Sequence, residues 1–202
     1  MVATLRTLIV GYSLALMVGC AGLVEQEPSS PGWQQHSAQL SALQHWTANG
    51  KLALRTTDSS ESASITWQQD NQHTQLQLSG PLGIGATTID SDGETLQIRQ
   101  GDELSTLDIS TPDAIVLNTG WDLPLHALIY WLKGLPAPDR DIQQIEVSPQ
   151  TALLQTLQQD DWQVLFQKYG DFQGYILPTR LQIQRGTTRL KLVISRWQVS
   201  DK

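Results

Sequence analysis

Residues 73–98 read "HTQLQLSGPLGIGATTIDSDGETLQI". Leu76 and Leu78 alternate with Gln75, Gln77 and Ser79, a period of two that sends leucine to one face of a strand and polar groups to the other. Thr88 to Asp90 and Leu96 to Ile98 flank "DSDG", which sets Asp92-Gly93 at the tip of a hairpin. Connections this short join antiparallel neighbours. The turn before them breaks the usual chemistry. Turns carry polar residues beside their Gly and Pro, whereas this one carries Leu82 and Ile84.

The same alternation continues in both directions. Leu52 and Leu54 alternate with Lys51, Ala53 and Arg55, and Ile65 and Trp67 with Thr66 and Gln68. Leu104 to Ile109 reads as a further short strand, as do Ile145 with Val147 and Leu153 to Leu157. Trp162, Val164 and Phe166 alternate with Gln163, Leu165 and Gln167. Leu181 and Ile183 lead to a last strand with Leu190, Leu192 and Ile194 on one side and Arg189, Lys191 and Val193 on the other.

Helices punctuate the strands. Ser30-Pro31 is an N-cap followed by proline, with Trp33, His36, Leu40 and Leu43 at helical spacing behind it. Thr111-Pro112 opens a second, short helix running to about Asn118. Asp122 caps a third, "LPLHALIYWLKG", with Leu125, Leu128, Ile129 and Leu132 as its apolar stripe and Gly134 as its stop. The plan is helix, about five or six strands, two helices, and about four or five strands, mainly antiparallel and wet on one face. It predicts a mainly β fold with some α: an incomplete, open antiparallel β-barrel with a lid of about three helices enclosing an apolar cavity. The inward-reading candidates for its lining are Leu52, Leu54, Ile65, Trp67, Leu76, Leu78 and Trp131; plain core packing is the alternative for each.

The N-terminus reads as an export signal. Arg6 precedes an apolar run that ends in Gly19 and Cys20. Thr7 to Val18 is short for a membrane-spanning helix, which needs about 20 residues. Cys20, the only cysteine, follows "MVG" and so resembles a bacterial lipoprotein processing site. That resemblance implies cleavage before Cys20 and its lipidation. Ala21, where an aspartate would imply retention at the inner membrane, implies the outer membrane. The expected organisation is a signal peptide at 1–19, a lipidated polar tether at 20–32 and a single domain at 33–202.

The formal net charge is −7, and the leader removes one base and no acid. That opposes nucleic-acid binding, which needs clustered Lys and Arg. It also argues against adhesion to an anionic membrane, so that any membrane contact should be apolar and local. Enzymatic, metal and cofactor signatures are missing from the sequence. "GPLGIG" is not G-x-G-x-x-G, and "DSDGE" lacks the further ligands of a calcium loop. His36, His45, His73 and His126 are scattered without ligand spacing, and no G-x-S-x-G elbow occurs. Asp139-Arg140-Asp141 reads as a solvated loop. No enzyme, cofactor or metal is expected.

Four segments, in order, resemble the LolB family of outer-membrane lipoprotein receptors: "WQQHSAQLSALQHWTANGKLAL", "WQQD…HTQLQLSGPLGIGATTI", "LPLHALIYWLKGLP" and "WQVLFQKYGDFQGYILPTRLQI…RLKLVISRW". The resemblance covers nearly the whole chain after Cys20. It implies a protein, anchored to the outer membrane and facing the periplasm, that accepts acylated lipoprotein cargo from the soluble carrier LolA. Acyl chains would pass between apolar cavities and then into the inner leaflet of the outer membrane, with the receptor a monomer. In this family a protruding loop exposes a leucine for membrane insertion; the matching residue is Leu82, framed by Pro81, Gly83 and Ile84. An envelope lipoprotein that binds lipid or scaffolds a complex without transfer is the alternative.

Overall fold

The structure, a computed structural model, describes residues 31–80, 85–109 and 124–200. Helix α1 (Pro31–Ala42) leads into β1 (His45–Arg55), β2 (Ser60–Asp70), β3 (His73–Ser79), β4 (Thr87–Ser91), β5 (Thr95–Gln100) and β6 (Glu103–Asp108). Helix α2 (Leu125–Lys133) follows, then β7 (Ile142–Val147), β8 (Leu154–Gln159), β9 (Trp162–Phe172), β10 (Tyr175–Arg185) and β11 (Thr188–Val199). Among the described residues the eleven strands form one sheet, in the order β6-β5-β4-β3-β2-β1-β11-β10-β9-β8-β7. Two meanders are joined where β1 pairs antiparallel with β11. The edges, β6 and β7, do not pair with each other, so the sheet stays open.

The expected lid of about three helices is seen as two helices among the described residues. The short helix expected from Thr111 to Asn118 lies outside them, as do Cys20, Asp122 and the loop residues Pro81, Leu82, Gly83 and Ile84. Helix α1 begins at Pro31, inside the stretch assigned to the tether. Helix α2 has Pro124 at its N-cap position, which supplies no side-chain hydrogen bond. Its C-terminus is as expected: Gly134 takes the left-handed conformation at φ 82° and donates its N–H to the Trp131 carbonyl. A Cβ there would also press on Pro178 and Tyr169, at 3.3 Å.

One glycine bends the sheet. The β1–β11 register slips between Asn49 and Gly50, and a Cβ on Gly50 would stand 2.2 Å from the Val193 carbonyl oxygen. Such a bulge kinks its strand and adds right-handed twist. Ser195 bridges it by donating its hydroxyl to the Asn49 carbonyl at 3.1 Å. At the β4–β5 hairpin the Asp92 carboxylate accepts from the backbone N–H groups of Thr95 at 2.7 Å and Glu94 at 2.9 Å. Those bonds hold its carboxyl below the usual range.

Two buried polar side chains fasten α2 to its surroundings. Lys133 is 5% exposed and donates from Nζ to the carbonyls of Leu43 at 3.0 Å and Leu40 at 3.2 Å, at the C-terminal end of α1. A cation there suits the negative end of the helix dipole. Gln159 is wholly buried in β8. Its Oε1 accepts from Trp131 Nε1 at 2.8 Å and from the Ala137 N–H at 2.7 Å, and its Nε2 donates to the Ala137 carbonyl at 2.9 Å. This pins the chain leaving α2 against β8. Both residues satisfy groups that would be costly to bury alone.

Candidate functional site

The inner face of the sheet is covered unevenly. Helix α2 packs on the β10 side, burying Ala127, Leu128, Trp131 and Leu132. Facing positions there, such as Leu157, Val164, Leu177 and Ile183, have no exposed surface. Across β1 to β5 the inward row is only partly covered. Leu52, Leu54, Leu78 and Ile98 pack against the core yet remain half-exposed. The strands themselves record this gradient: β1 is buried at Trp46 and Ala48 and opens toward Leu52 and Leu54.

The uncovered part is a cleft of about 420 Å³, within the roughly 300–1,000 Å³ usual for ligand sites. Leu52 and Leu54 of β1, Ile65 and Trp67 of β2, and Leu76 and Leu78 of β3 share its wall. Register explains why they meet: Ile65 lies opposite Leu78, and Trp67 opposite Leu76. Six of the seven lining candidates are thus brought together. The seventh, Trp131, is not. It has no exposed surface, its ring lies 6.2 Å from that of Trp162 at a tilt of 53°, and it gives its N–H to Gln159, so it belongs to the sealed side. From α2 it is Leu125 and Leu128 of the apolar stripe that reach the cleft.

Several lining residues were not named as candidates: Ile89, Ile98, Leu190 and Leu192 complete the wall. Their inward alternation was readable, and register supplies the missing step, with Leu52 opposite Leu192 and Leu54 opposite Leu190. Trp67 presents an apolar ring because its polar edge is occupied elsewhere. Its Nε1 donates to Gln69 Oε1 at 3.3 Å, and that oxygen also accepts from Thr74 at 2.8 Å. A smaller void of about 40 Å³ shares Trp67, Leu76, Ile89 and Leu125 with the cleft and extends it toward His126 and Ile129.

The rim is polar and carries Glu61, Ser62, Thr87 and Gln100. Gly80 and Gly85, the described residues on either side of Pro81 to Ile84, stand at the same mouth. A long apolar interior with a hydrogen-bonding rim suits an apolar chain whose head stays outside. A second groove of about 410 Å³, at the other end of β1 and β2, is of a different kind. It is shallow and polar, and its wall includes His45, whose Nδ1 lies 2.8 Å from the Asp70 carboxylate.

The fold has solved counterparts. A LolA superfamily protein from Nitrosomonas europaea superposes with a TM-score of 0.58 at 9% identity, covering 84% of this chain and 94% of its own. A putative outer membrane lipoprotein-sorting protein domain from Vibrio parahaemolyticus gives 0.55 at 8% identity, covering 84% and 91%. At such identities the likeness concerns the fold alone. Sequence relatives are nearer. The outer-membrane lipoprotein LolB of Ectopseudomonas mendocina is 37% identical over 209 residues, covering 96% of this chain and 97% of the relative. Those of Stutzerimonas stutzeri and Pseudomonas aeruginosa are 31% and 32% identical over 200 residues, each covering 96% of both chains. The family model for outer membrane lipoprotein LolB matches residues 44–197, the whole sheet but for Gln198 and Val199 at its C-terminal end. The chain belongs to the LolB family of outer-membrane lipoproteins.

Proposed function

We propose that this chain is a lipid-anchored receptor at the outer membrane, facing the periplasm, that takes acylated lipoproteins from a soluble LolA-type carrier and delivers them into the bilayer. The observation that carries the reading is the apolar cleft opening beside the Gly80–Gly85 loop. Cys20 holds the lipid, the residues from Cys20 to Ser30 form the tether, and the domain from Pro31 onward does the work. The carrier docks mouth to mouth, and the cargo's acyl chain slides from one cavity into the other. Each methylene kept out of water is worth about 0.8 kcal/mol, so a chain of about fourteen would lose about 11 kcal/mol by crossing water. A continuous apolar path avoids that barrier. Direction follows if this cleft holds the chain more tightly than the carrier does, and the bilayer more tightly still.

Leu82 is the residue assigned to the last step. An exposed leucine forgoes roughly 1.5–3 kcal/mol of burial and regains it in a bilayer. Pro81 restricts the approach of the chain. The test is transfer with a soluble Cys20→Ala form, carrier loaded with acylated cargo, and liposomes. Wild-type loop residues should give uptake and delivery, and Leu82→Glu uptake without delivery. Failure of both proteins to take cargo would refute the receptor reading and leave lipid retention or scaffolding as the function.

A further inference from the structure

A net charge of −7 hides a separation of sign. Lys51 and Arg55 of β1, Arg180 of β10, and Arg189 and Lys191 of β11 are all exposed on the outer face of the sheet. Register gathers them. Arg55 lies directly opposite Arg189, Lys191 lies opposite Ala53, and Val193 stands between Lys51 and Arg180. None of the five forms an ion pair with a described residue. The outward positions among them, Ala53, Gln182, Gln184 and Val193, are uncharged. Asp58 sits in the β1–β2 turn and Glu61 on the inward row at the rim; neither pairs with a cation. Like charges directly opposite on paired strands destabilise a sheet, so the Arg55–Arg189 pair is a cost until an anion covers it.

The patch has a definite place. Leu54 and Leu190, neighbours in sequence of Arg55 and Arg189, point through the sheet into the cleft. The cations therefore flank the mouth from behind, at the end where Gly80 and Gly85 stand. We propose that this face binds the anionic phospholipid headgroups of the bilayer that holds the chain, and so turns the cleft mouth and its loop toward the membrane. The inference rests on the lipid-anchored reading above. The occupant follows from charge complementarity and from the leash: the residues from Ala21 to Ser30 reach at most about 35 Å, which keeps the domain beside the headgroups. The proposal departs from the composition-level expectation of an apolar and local membrane contact, because net charge averages over faces that a bilayer meets one at a time.

The test is vesicle flotation of the mature chain carrying Cys20→Ala, with no carrier or cargo. Vesicles are phosphatidylethanolamine alone or with about a quarter phosphatidylglycerol, at about 0.05 and 0.5 M salt. Binding should rise with phosphatidylglycerol and fall with salt. Lys51→Gln/Arg55→Gln/Arg189→Gln/Lys191→Gln should fold normally by circular dichroism and lose that rise, at least about tenfold, given roughly fivefold per cation near the surface. Leu82→Ala should keep the phosphatidylglycerol dependence. Equal binding to both vesicles by the unsubstituted protein, or an unchanged rise in the quadruple variant, overturns the proposal. So does a quadruple variant that keeps the rise but no longer binds the carrier, which would make this a protein-docking face. Cargo uptake from the carrier without vesicles, measured on the same proteins, separates this outcome from failure of the receptor reading.

Discussion

Leu78 and Leu157 alternate with polar neighbours in the same way, yet the structure gives them opposite duties. Leu78 is half-exposed on the wall of the cleft, whereas Leu157 has no exposed surface. An aspartate at each position separates lining from core. Full burial of a leucine is worth about 1.5–3 kcal/mol, so losing the half-exposed Leu78 costs about 1 kcal/mol while the new carboxylate stays wet in the empty cleft. A domain stable by about 5–15 kcal/mol survives that. At Leu157 the lost packing, about 2–5 kcal/mol, adds to several kcal/mol for a carboxylate without a partner. That sum approaches the whole stability of the domain.

Binding should show the reverse emphasis. An acyl chain entering the Leu78→Asp cleft must dehydrate the carboxylate, at about 3 kcal/mol or more, which weakens binding over a hundredfold. Urea unfolding gives the first number and titration with a fluorescent palmitoyl probe the second. The expected result is a folded Leu78→Asp that no longer takes the probe, beside a Leu157→Asp that does not fold. Probe binding at wild-type strength by Leu78→Asp would refute the assignment of this cleft to acyl chains. Unfolding of both variants would show that Leu78 is core.

Lys133 gives a pH-dependent prediction. Burial lowers its pKa from 10.5 to about 8. The folded state then releases its proton before the unfolded chain does, so stability rises as pH climbs from about 8 to about 10.5, by up to about 3 kcal/mol. The difference between wild type and Lys133→Met in urea melts should follow that rise, and a flat difference would mean the ammonium is solvated. Gly50→Ala should cost about 1–3 kcal/mol by forcing β1 away from the Val193 carbonyl; an unchanged urea midpoint would show that the bulge is soft. Gln159→Leu strands Trp131 Nε1 and the Ala137 N–H and carbonyl. Its expected loss of about 2–4 kcal/mol would be contradicted by a neutral melting curve.

The succession of strands along the chain was legible because the strands carry their own alternation, whereas their order in the sheet was not read. Asp92-Gly93 and Gly134 behave as their residue types require, the first as a hairpin tip and the second as a left-handed helix stop. Alternation tells which residues face inward, but it does not tell what lies opposite them. Leu54 and Val164 look alike in sequence; only the packing of α2 on the β10 side leaves one in an open cleft and seals the other. Trp131 was misplaced for the same reason, since its partner Gln159 lies 28 residues away. Nothing local to Lys133 announces that the end of α1 covers it, since Leu40 and Leu43 lie some ninety residues away. The basic face was invisible to composition, since it arises from pairing the first strand with the last.

The central claim is that the inner cleft holds the acyl chain of a cargo lipoprotein, and site-specific photo-cross-linking tests it most directly. A benzophenone side chain would replace Leu54 or Leu78 on the cleft wall, and Leu104 or Val193, exposed outside it, in turn. After loading with acylated cargo and illumination, adducts should form from positions 54 and 78 and be absent with cargo lacking its acyl chains. Positions 104 and 193 should give none. Adducts of equal yield from the outer positions, or adducts at 54 and 78 that do not need the acyl chain, would contradict the account.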